Sequence, residues 1–258
     1  MKLAVRNIRK SFPRGDRRLL VLDGVEFAAR ERELLAIVGP SGCGKSTLFE
    51  IICGLEEADS GSIEIDGAPC KAPGGAVGYM PQADLLFPWR RLIDNVILPL
   101  EVKGVSRRVA RERVRPLLAL FGLEGFESAY PSQLSGGMRQ RAALLRTFAA
   151  EREIVALDEP FGALDAHTRR GMQEWLAGVR KELGNTILLV THDVDEALIL
   201  ADRVVVLSAR PARVLAEVAV DLPAPRSAVS PEFVALKAKI LALLEAKPAA
   251  YVDGRSAL

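Results

Sequence analysis

The 258 residues are enough to bury a full hydrophobic core, as one large domain or as a domain with an added lobe. With 49% apolar and 26% charged residues the composition is that of a soluble globular protein, and a net charge of +2 supplies no global field for nucleic acid. Cys43, Cys53 and Cys70 lack C-x-x-C spacing, which argues against a disulfide framework or a zinc site and fits a reducing cytoplasm.

The N-terminus, Met1-Lys2-Leu3-Ala4-Val5-Arg6, alternates as a strand does, and no signal-peptide pattern follows it. Residues 1–35 continue the alternation, with turns at Pro13-Arg14-Gly15-Asp16 and Arg30–Arg32. The apolar run Leu34-Leu35-Ala36-Ile37-Val38 then reads as a buried parallel strand. Directly after it, Gly39-Pro40-Ser41-Gly42-Cys43-Gly44-Lys45-Ser46-Thr47 fits the phosphate-loop pattern G-x-x-x-x-G-K-[ST], and Thr47–Ile52 reads as helix. That order is what the chemistry requires. Glycines let backbone N–H groups turn inward around an anion, and the helix N-terminus adds partial positive charge. Lys45 would reach the β- and γ-phosphates, and the Ser46 hydroxyl would ligate Mg2+.

Further along, Ser62–Ile65 and Ala76–Met80 predict more strands, the second passing from an antiparallel β layer into the core sheet. From about Leu85 to Arg146 the pattern turns helical. Val109, Val114, Leu117, Leu118 and Phe121 recur at helical spacing, and Pro116 is expected to kink or split that helix. The arginines at Arg14–Arg18 and Arg107–Arg115 read as solvated faces. β/α alternation then resumes, with strands at Ile154–Leu157, Thr186–Val190, Val204–Leu207 and Val214–Val218 and helices at Thr168–Leu183 and Val194–Leu200. Such alternation implies a parallel sheet covered on both faces, with ligands at the strands' carboxyl ends. Ser230-Pro231-Glu232 starts a last helix whose apolar face is Phe233, Leu236, Ile240, Leu243 and Leu244. No apolar stretch approaches the roughly 20 residues that cross a bilayer, so work at a membrane would need another subunit to carry the spans.

Two further motifs add chemistry. Ile154-Val155-Ala156-Leu157-Asp158-Glu159 is an apolar strand ending in two carboxylates. In a neighbouring buried strand, Asp158 would hold Mg2+ through water, and Glu159 would orient or deprotonate the attacking water. In Leu134-Ser135-Gly136-Gly137-Met138-Arg139-Gln140, Ser135 can cap a helix starting near Gly137, and the glycines leave backbone N–H groups open to an anion.

The sequence L-S-G-G-x-x-Q after a phosphate loop resembles the signature of the ATP-binding cassette (ABC) ATPases, in that family's motif order and over essentially the whole chain. The resemblance implies an α/β P-loop NTPase with a RecA-like parallel core sheet, an antiparallel β subdomain and an inserted helical subdomain. The cassette is expected over residues 1–230, its helical part about 85–146, and a helical tail over 231–258. Gln82 matches the family's glutamine that senses Mg2+ and the γ-phosphate, and His192 the histidine that contacts the γ-phosphate. Ala163-Leu164-Asp165 matches the loop that crosses to the partner subunit, and Phe12 the aromatic that stacks on adenine, where Tyr is more common. Arg32-Glu33 departs from the usual Gly-Glu, which should alter a turn rather than the chemistry, and His167, the other histidine, sits near a helix start and is given no functional role.

In this family the signature faces the phosphate loop of a second copy. The single copy here implies a head-to-tail homodimer with two ATP molecules at the interface, where Ser135, Gly136 and Gly137 complete the partner's site. The segment Leu85–Val96, with its Pro-Trp and Asp-Asn-Val, resembles importers of nitrate, sulfonate, taurine and thiamine precursors. Gly125-Phe126-Glu127, Tyr130-Pro131-Ser132-Gln133 and Val194-Asp195-Glu196-Ala197 support the same subfamily, and Leu144–Phe148 tilts toward its thiamine-precursor branch. The implied partners are a membrane permease, whose coupling helix would meet Phe87 and Trp89, and indirectly a solute-binding protein; the implied location is the cytoplasmic face of the inner membrane. A soluble ABC ATPase working on nucleic acid or ribosomes is disfavoured, because such proteins usually carry two cassettes or long coiled-coil insertions. A P-loop GTPase is disfavoured by the lack of an N-K-x-D motif.

Overall fold

The computed structural model describes residues 1–70, 73–162 and 164–245. Strands β1 (Leu3–Arg14) and β2 (Arg17–Ala29) form an antiparallel hairpin whose register pairs Arg14 with Arg17. The turn is therefore the dipeptide Gly15-Asp16, and Gly15 supplies the positive φ of 59° that a tight hairpin turn demands. The phosphate-loop strand β3 (Leu34–Val38) follows, then helix α1 (Lys45–Ile52). Strands β4 (Ser60–Ile65) and β5 (Ala68–Pro69) complete a four-stranded sheet in the order β2-β1-β4-β5.

The second sheet has six strands. It gains β6 (Val77–Met80), β7 (Ile154–Asp158), β8 (Thr186–Thr191), β9 (Arg203–Leu207) and β10 (Val214–Ala219), and its order is β10-β9-β3-β8-β7-β6. All neighbours pair in parallel except β10, which returns antiparallel beside β9. The expected passage of residues 76–80 from the antiparallel layer into the core sheet is what the pairing of β6 with β7 describes.

Burial explains why the central strands read as uninterrupted apolar runs. Every residue of β3, β7 and β8 is buried, because both faces of the sheet are covered. Alternate residues of β3 serve opposite layers. Leu35 and Ile37 pack with Leu48 and Phe49 of α1 and with Leu3, Val5 and Ile8 of the antiparallel sheet. Leu34, Ala36 and Val38 share a core with the helices on the other side.

Those helices are α2 (Leu92–Val96), α3 (Leu98–Val102), α4 (Arg107–Leu120), α5 (Gly136–Phe148), α6 (Ala166–Leu183), α7 (Val194–Leu200) and α8 (Pro231–Glu245). Of the two outcomes expected at Pro116, the split does not occur: α4 runs unbroken from Arg107 to Leu120. Pro116 and Glu112, whose carbonyl loses its helical partner, are both exposed, so water can serve that carbonyl while Ala110, Val114 and Leu118 keep one buried stripe. Phe233 and Ile240 of α8 are fully buried in the same core as Leu34, and Leu236, Leu243 and Leu244 pack against it. Among the described residues, no helix is long and apolar enough to cross a membrane.

Candidate active site

The carboxyl ends of β3, β8, β7 and β6 lie side by side, and each delivers one motif to the same edge of the sheet. After β3, the phosphate loop is tight enough to demand glycine. A Cβ at Gly44 (φ 122°) would sit 2.7 Å from Val21 Cγ1, and one at Gly39 would sit 3.0 Å from Cys43 Sγ and 3.1 Å from Leu207 Cβ. Lys45 is buried and its ammonium donates to the carbonyls of Gly39 at 2.9 Å and Pro40 at 3.1 Å. Burial pushes the Cys43 thiol up, although Lys45 and Arg210 pull the other way. Pro40, Ser41 and Thr47 complete the loop, and Ser41 and Thr47 line the cavity above it.

After β7 come the two carboxylates. Asp158 is 4% exposed, and burial raises its pKa above the usual carboxylate value; a hydrogen bond from the Ser46 hydroxyl and the charge of Lys45 oppose that rise, while Glu159 adds to it. Glu159 sits at φ 45°, a left-handed conformation that costs a non-glycine residue about 1–3 kcal/mol, held by its N–H bonding to the Val190 carbonyl at 2.9 Å. Its Oε2 receives Gln82 Nε2, from the loop after β6, at 3.2 Å. The same oxygen lies 3.2 Å from Nδ1 of His192, from the loop after β8. Three residues far apart in sequence thus meet at one carboxylate oxygen.

The loop that presents His192 is clamped from below. Asp193 caps α7 by accepting from the N–H groups of Asp195 at 2.9 Å and Glu196 at 3.3 Å. Thr191 Oγ1 accepts from Asp193 N at 3.0 Å and donates to Glu196 Oε2 at 2.8 Å. Burial pushes the Glu196 carboxyl up to about 7, against the Thr191 hydrogen bond and the charge of Arg169. An acid whose folded pKa is raised favours the native state while protonated, so this contribution fades as pH climbs from about 4.5 to about 7. Glu196→Gln keeps an acceptor for Thr191 and removes the buried charge. We expect urea unfolding to find the variant about 2 kcal/mol more stable than the parent at pH 8 and little different at pH 4.5. A variant less stable than the parent at pH 8 would contradict this.

A cavity of about 400 Å3 lies over the loop, within the range of small-molecule sites. Phe12 and Leu19, paired across the β1–β2 hairpin, line one end, and Gly42, Lys45, Ser46 and Glu159 line the other. Lys10 Nζ stands 5.1 Å from the centroid of the Phe12 ring. Arg210, in the turn between β9 and β10, also lines the cavity and donates to the Gly42 carbonyl through Nε at 3.0 Å and through Nη2. Sequence reasoning missed it. The available signal was its place just past a strand that neighbours β3, at the carboxyl edge where ligands sit.

The signature segment is elsewhere. Ser135 caps α5 as expected, its Oγ accepting from Met138 N at 3.2 Å, and the helix begins at Gly136. Ser135, Gly136 and Gly137 do not line the cavity. They adjoin the loop before α6 and that helix's first turn instead: a Cβ on Gly136 would lie 3.8 Å from Leu164 and one on Gly137 only 2.9 Å from Thr168 Cγ2. In that loop Ala163 lies outside the described residues, and Asp165 caps α6 through the N–H groups of His167 and Thr168.

The donor set suits Mg2+. The Ser46 hydroxyl, the Asp158 carboxylate and the Gln82 side-chain carbonyl are hard oxygen donors. No cluster of three or more His, Cys, Asp or Glu that could hold a metal occurs among the described residues. Mg2+ needs no such cluster, since it takes one or two protein carboxylates and fills its octahedron with water and phosphate oxygens.

Residues 22–162 match the ABC transporter family. The chain belongs to it. The cassette is 45% identical over 245 residues to an ABC transporter ATP-binding protein of Methanocaldococcus jannaschii, covering 95% of this chain and 92% of that one. It is 42% identical to the aliphatic sulfonates import ATP-binding protein SsuB of Bacillus licheniformis, over 93% of both chains. It is also 42% identical to the taurine import ATP-binding protein TauB of Pseudomonas aeruginosa, over 85% of this chain and 84% of TauB. Among solved structures, a dimeric ATP-binding cassette in a post-hydrolysis state, bound to ADP and phosphate, superposes with a TM-score of 0.73 at 30% identity, covering 84% of this chain and 98% of that one. The protein is an ATPase with the ABC cassette fold, and ATP with Mg2+ is its substrate pair.

Beyond the nucleotide edge, one loop of the ABC cassette stands out. Trp89 is 71% exposed, yet its ring stacks on Phe87 at 5.1 Å between centroids and 19° between planes. The loop is pinned by the fully buried Asn95, whose Oδ1 accepts from Phe87 N at 2.7 Å. Its Nδ2 lies within bonding distance of the carbonyls of Phe87, Arg90 and Arg91, at 3.1, 3.1 and 3.2 Å.

Proposed function

We propose that this ABC cassette is the ATP-hydrolysing subunit of an importer for a small nutrient of the sulfonate or taurine class, driving a separate membrane permease. The observation that carries the catalytic part is the meeting of Gln82, Glu159 and His192 at one carboxylate oxygen beside the Lys45 cavity. Lys45 and the loop amides bind the β- and γ-phosphates, and Phe12 offers its ring face to adenine. Ser46, and Asp158 through water, would hold Mg2+, which would supply neutralising charge to the phosphates. Glu159 orients and deprotonates the attacking water, Gln82 and His192 fix that carboxylate, and His192 also reaches the γ-phosphate.

A homodimer completes the site. The capped N-terminus of α5 carries open backbone N–H groups but lies outside the cavity of its own chain. In a head-to-tail pair, Ser135, Gly136 and Gly137 of one copy close the cavity of the other, and ATP joins the two faces. The dimeric cassette structure similar to this chain supports that arrangement. Because ATP favours the closed pair and its hydrolysis removes that preference, the cycle moves whatever is attached.

The attachment proposed here is the Phe87–Trp89 stack, an exposed tryptophan resting on a half-buried phenylalanine in a loop that Asn95 pins. Exposed aromatics on pre-organised backbone are the usual anchors of protein interfaces. The import function of the SsuB and TauB relatives supports a permease as the partner, and a peripheral place at the cytoplasmic face of the membrane as the location. A solute-binding protein outside the membrane would choose the cargo. A pull-down of the chain from detergent-solubilised native membranes tests this. We expect a multi-span permease and a solute-binding protein to co-purify, and Trp89→Ala to lose the permease at least tenfold while the soluble ATPase rate stays within twofold. Recovery of ribosomal or other soluble partners alone would overturn the transport function, and equal loss of both properties would place Trp89 in the fold.

A further inference from the structure

We propose that Arg210 is a positioning residue for ATP, fixing the Gly42–Cys43 peptide of the phosphate loop so that the loop presents N–H groups, and not a carbonyl, to the phosphates. This rests on the nucleotide cavity alone and is independent of the permease. The peptide is held at both ends. Its N–H donates to the Pro40 carbonyl at 3.2 Å, and its carbonyl receives two donors of the Arg210 guanidinium. Gly42, at φ 71°, is the hinge of this turn and the residue best able to rotate. Were the peptide to flip, the Gly42 oxygen would swing toward the cavity and oppose an incoming anion.

The cationic partners of the loop divide the work. Lys45 holds the Gly39 and Pro40 carbonyls from within, and Arg210 holds Gly42 from outside. Lys45 has phosphates to bind, so Arg210 is the partner free to keep its carbonyl throughout the cycle. The guanidinium lines the same cavity and adds fixed positive charge beside the triphosphate.

Arg210 can do this because its turn is rigid without it. Ser208 N bonds Arg213 O at 2.9 Å across the turn, Ala212 N bonds Val21 O at 2.8 Å, and Asp23 N bonds Ala212 O at 3.0 Å. Arg213 adds an ion pair with Asp23. The turn therefore links β2, which carries Leu19 and Val21 of the cavity wall, to the phosphate loop after β3. Arg210 itself is exposed and contributes nothing to the core, so its replacement should leave the fold intact.

The test is a titration of the full chain with ATP and with ADP, alongside steady-state ATPase kinetics, for Arg210→Ala and Arg210→Lys. We expect Arg210→Ala to bind both nucleotides about tenfold more weakly, since both place a β-phosphate in the cradle. KM for ATP should rise by a similar factor while kcat at saturation stays within twofold. Arg210→Lys, which keeps the charge and a donor, should recover most of the loss. ATP affinity within twofold of the parent in Arg210→Ala would overturn the proposal. So would a lowered nucleotide-free melting temperature with Arg210→Lys as poor as alanine, because that pattern belongs to a structural residue.

Discussion

Glu159→Gln should bind ATP as tightly as the parent and hydrolyse it at least a hundredfold more slowly. Its carboxylate is the group on which Gln82 and His192 converge, and a positioned general base is worth about 10²–10⁴ in rate. The substitution is nearly isosteric. The glutamine carbonyl can still accept from Gln82 and His192, so the loop geometry survives while the proton acceptor is lost. Affinity should hold or improve, because a negative charge beside the triphosphate has been removed. The consequence for assembly is the larger effect. With hydrolysis stalled, ATP stays at the shared interface, and light scattering in the presence of ATP and Mg2+ should give twice the monomer mass. A rate within tenfold of the parent would remove Glu159 from the base role, and a monomer under saturating ATP would count against the head-to-tail pair.

Much of this site is legible in the sequence, for a physical reason. A phosphate loop is local: its strand, glycines, lysine and helix start are contiguous, and β3, β7 and β8 are apolar throughout because both sheet faces are buried. What pattern alone does not give is strand order. Gln82, Glu159 and His192 meet only because β6, β7 and β8 are adjacent, and the family resemblance, not periodicity, pointed to the three together. Arg210 escaped for the same reason. It follows β9, whose neighbour β3 lies far earlier in the chain, and nothing local marks an arginine in a turn as a partner of Gly42. Asn95 was noticed as part of Asp-Asn-Val, but its buried bonds to the Phe87–Arg91 loop are tertiary facts. The pattern around Pro116 leaves a split or a kink open, and α4 is not split because helix-breaking propensity yields where the broken hydrogen bond faces water.

Lys45→Ala should abolish tight ATP binding while leaving the fold in place. Lys45 is 6% exposed and its ammonium bonds two loop carbonyls, so it meets a phosphate in an environment where competing water is scarce. Charge-assisted contacts of this kind contribute about 1.5–3 kcal/mol each, and losing two weakens binding by about 10²–10⁴-fold. Alanine puts nothing in the way: it is smaller and it suits the first turn of α1. Melting without nucleotide should therefore change little. Melting with nucleotide should change a great deal, because a ligand at 100 times its Kd adds about 2.7 kcal/mol to stability and a ligand below its Kd adds almost nothing. Parent protein should shift upward in Tm on adding millimolar ATP, and Lys45→Ala should not. Near-parental affinity in a calorimetric titration would refute the phosphate role of Lys45. A lost ATP shift together with a collapsed nucleotide-free Tm would instead assign Lys45 to holding the loop.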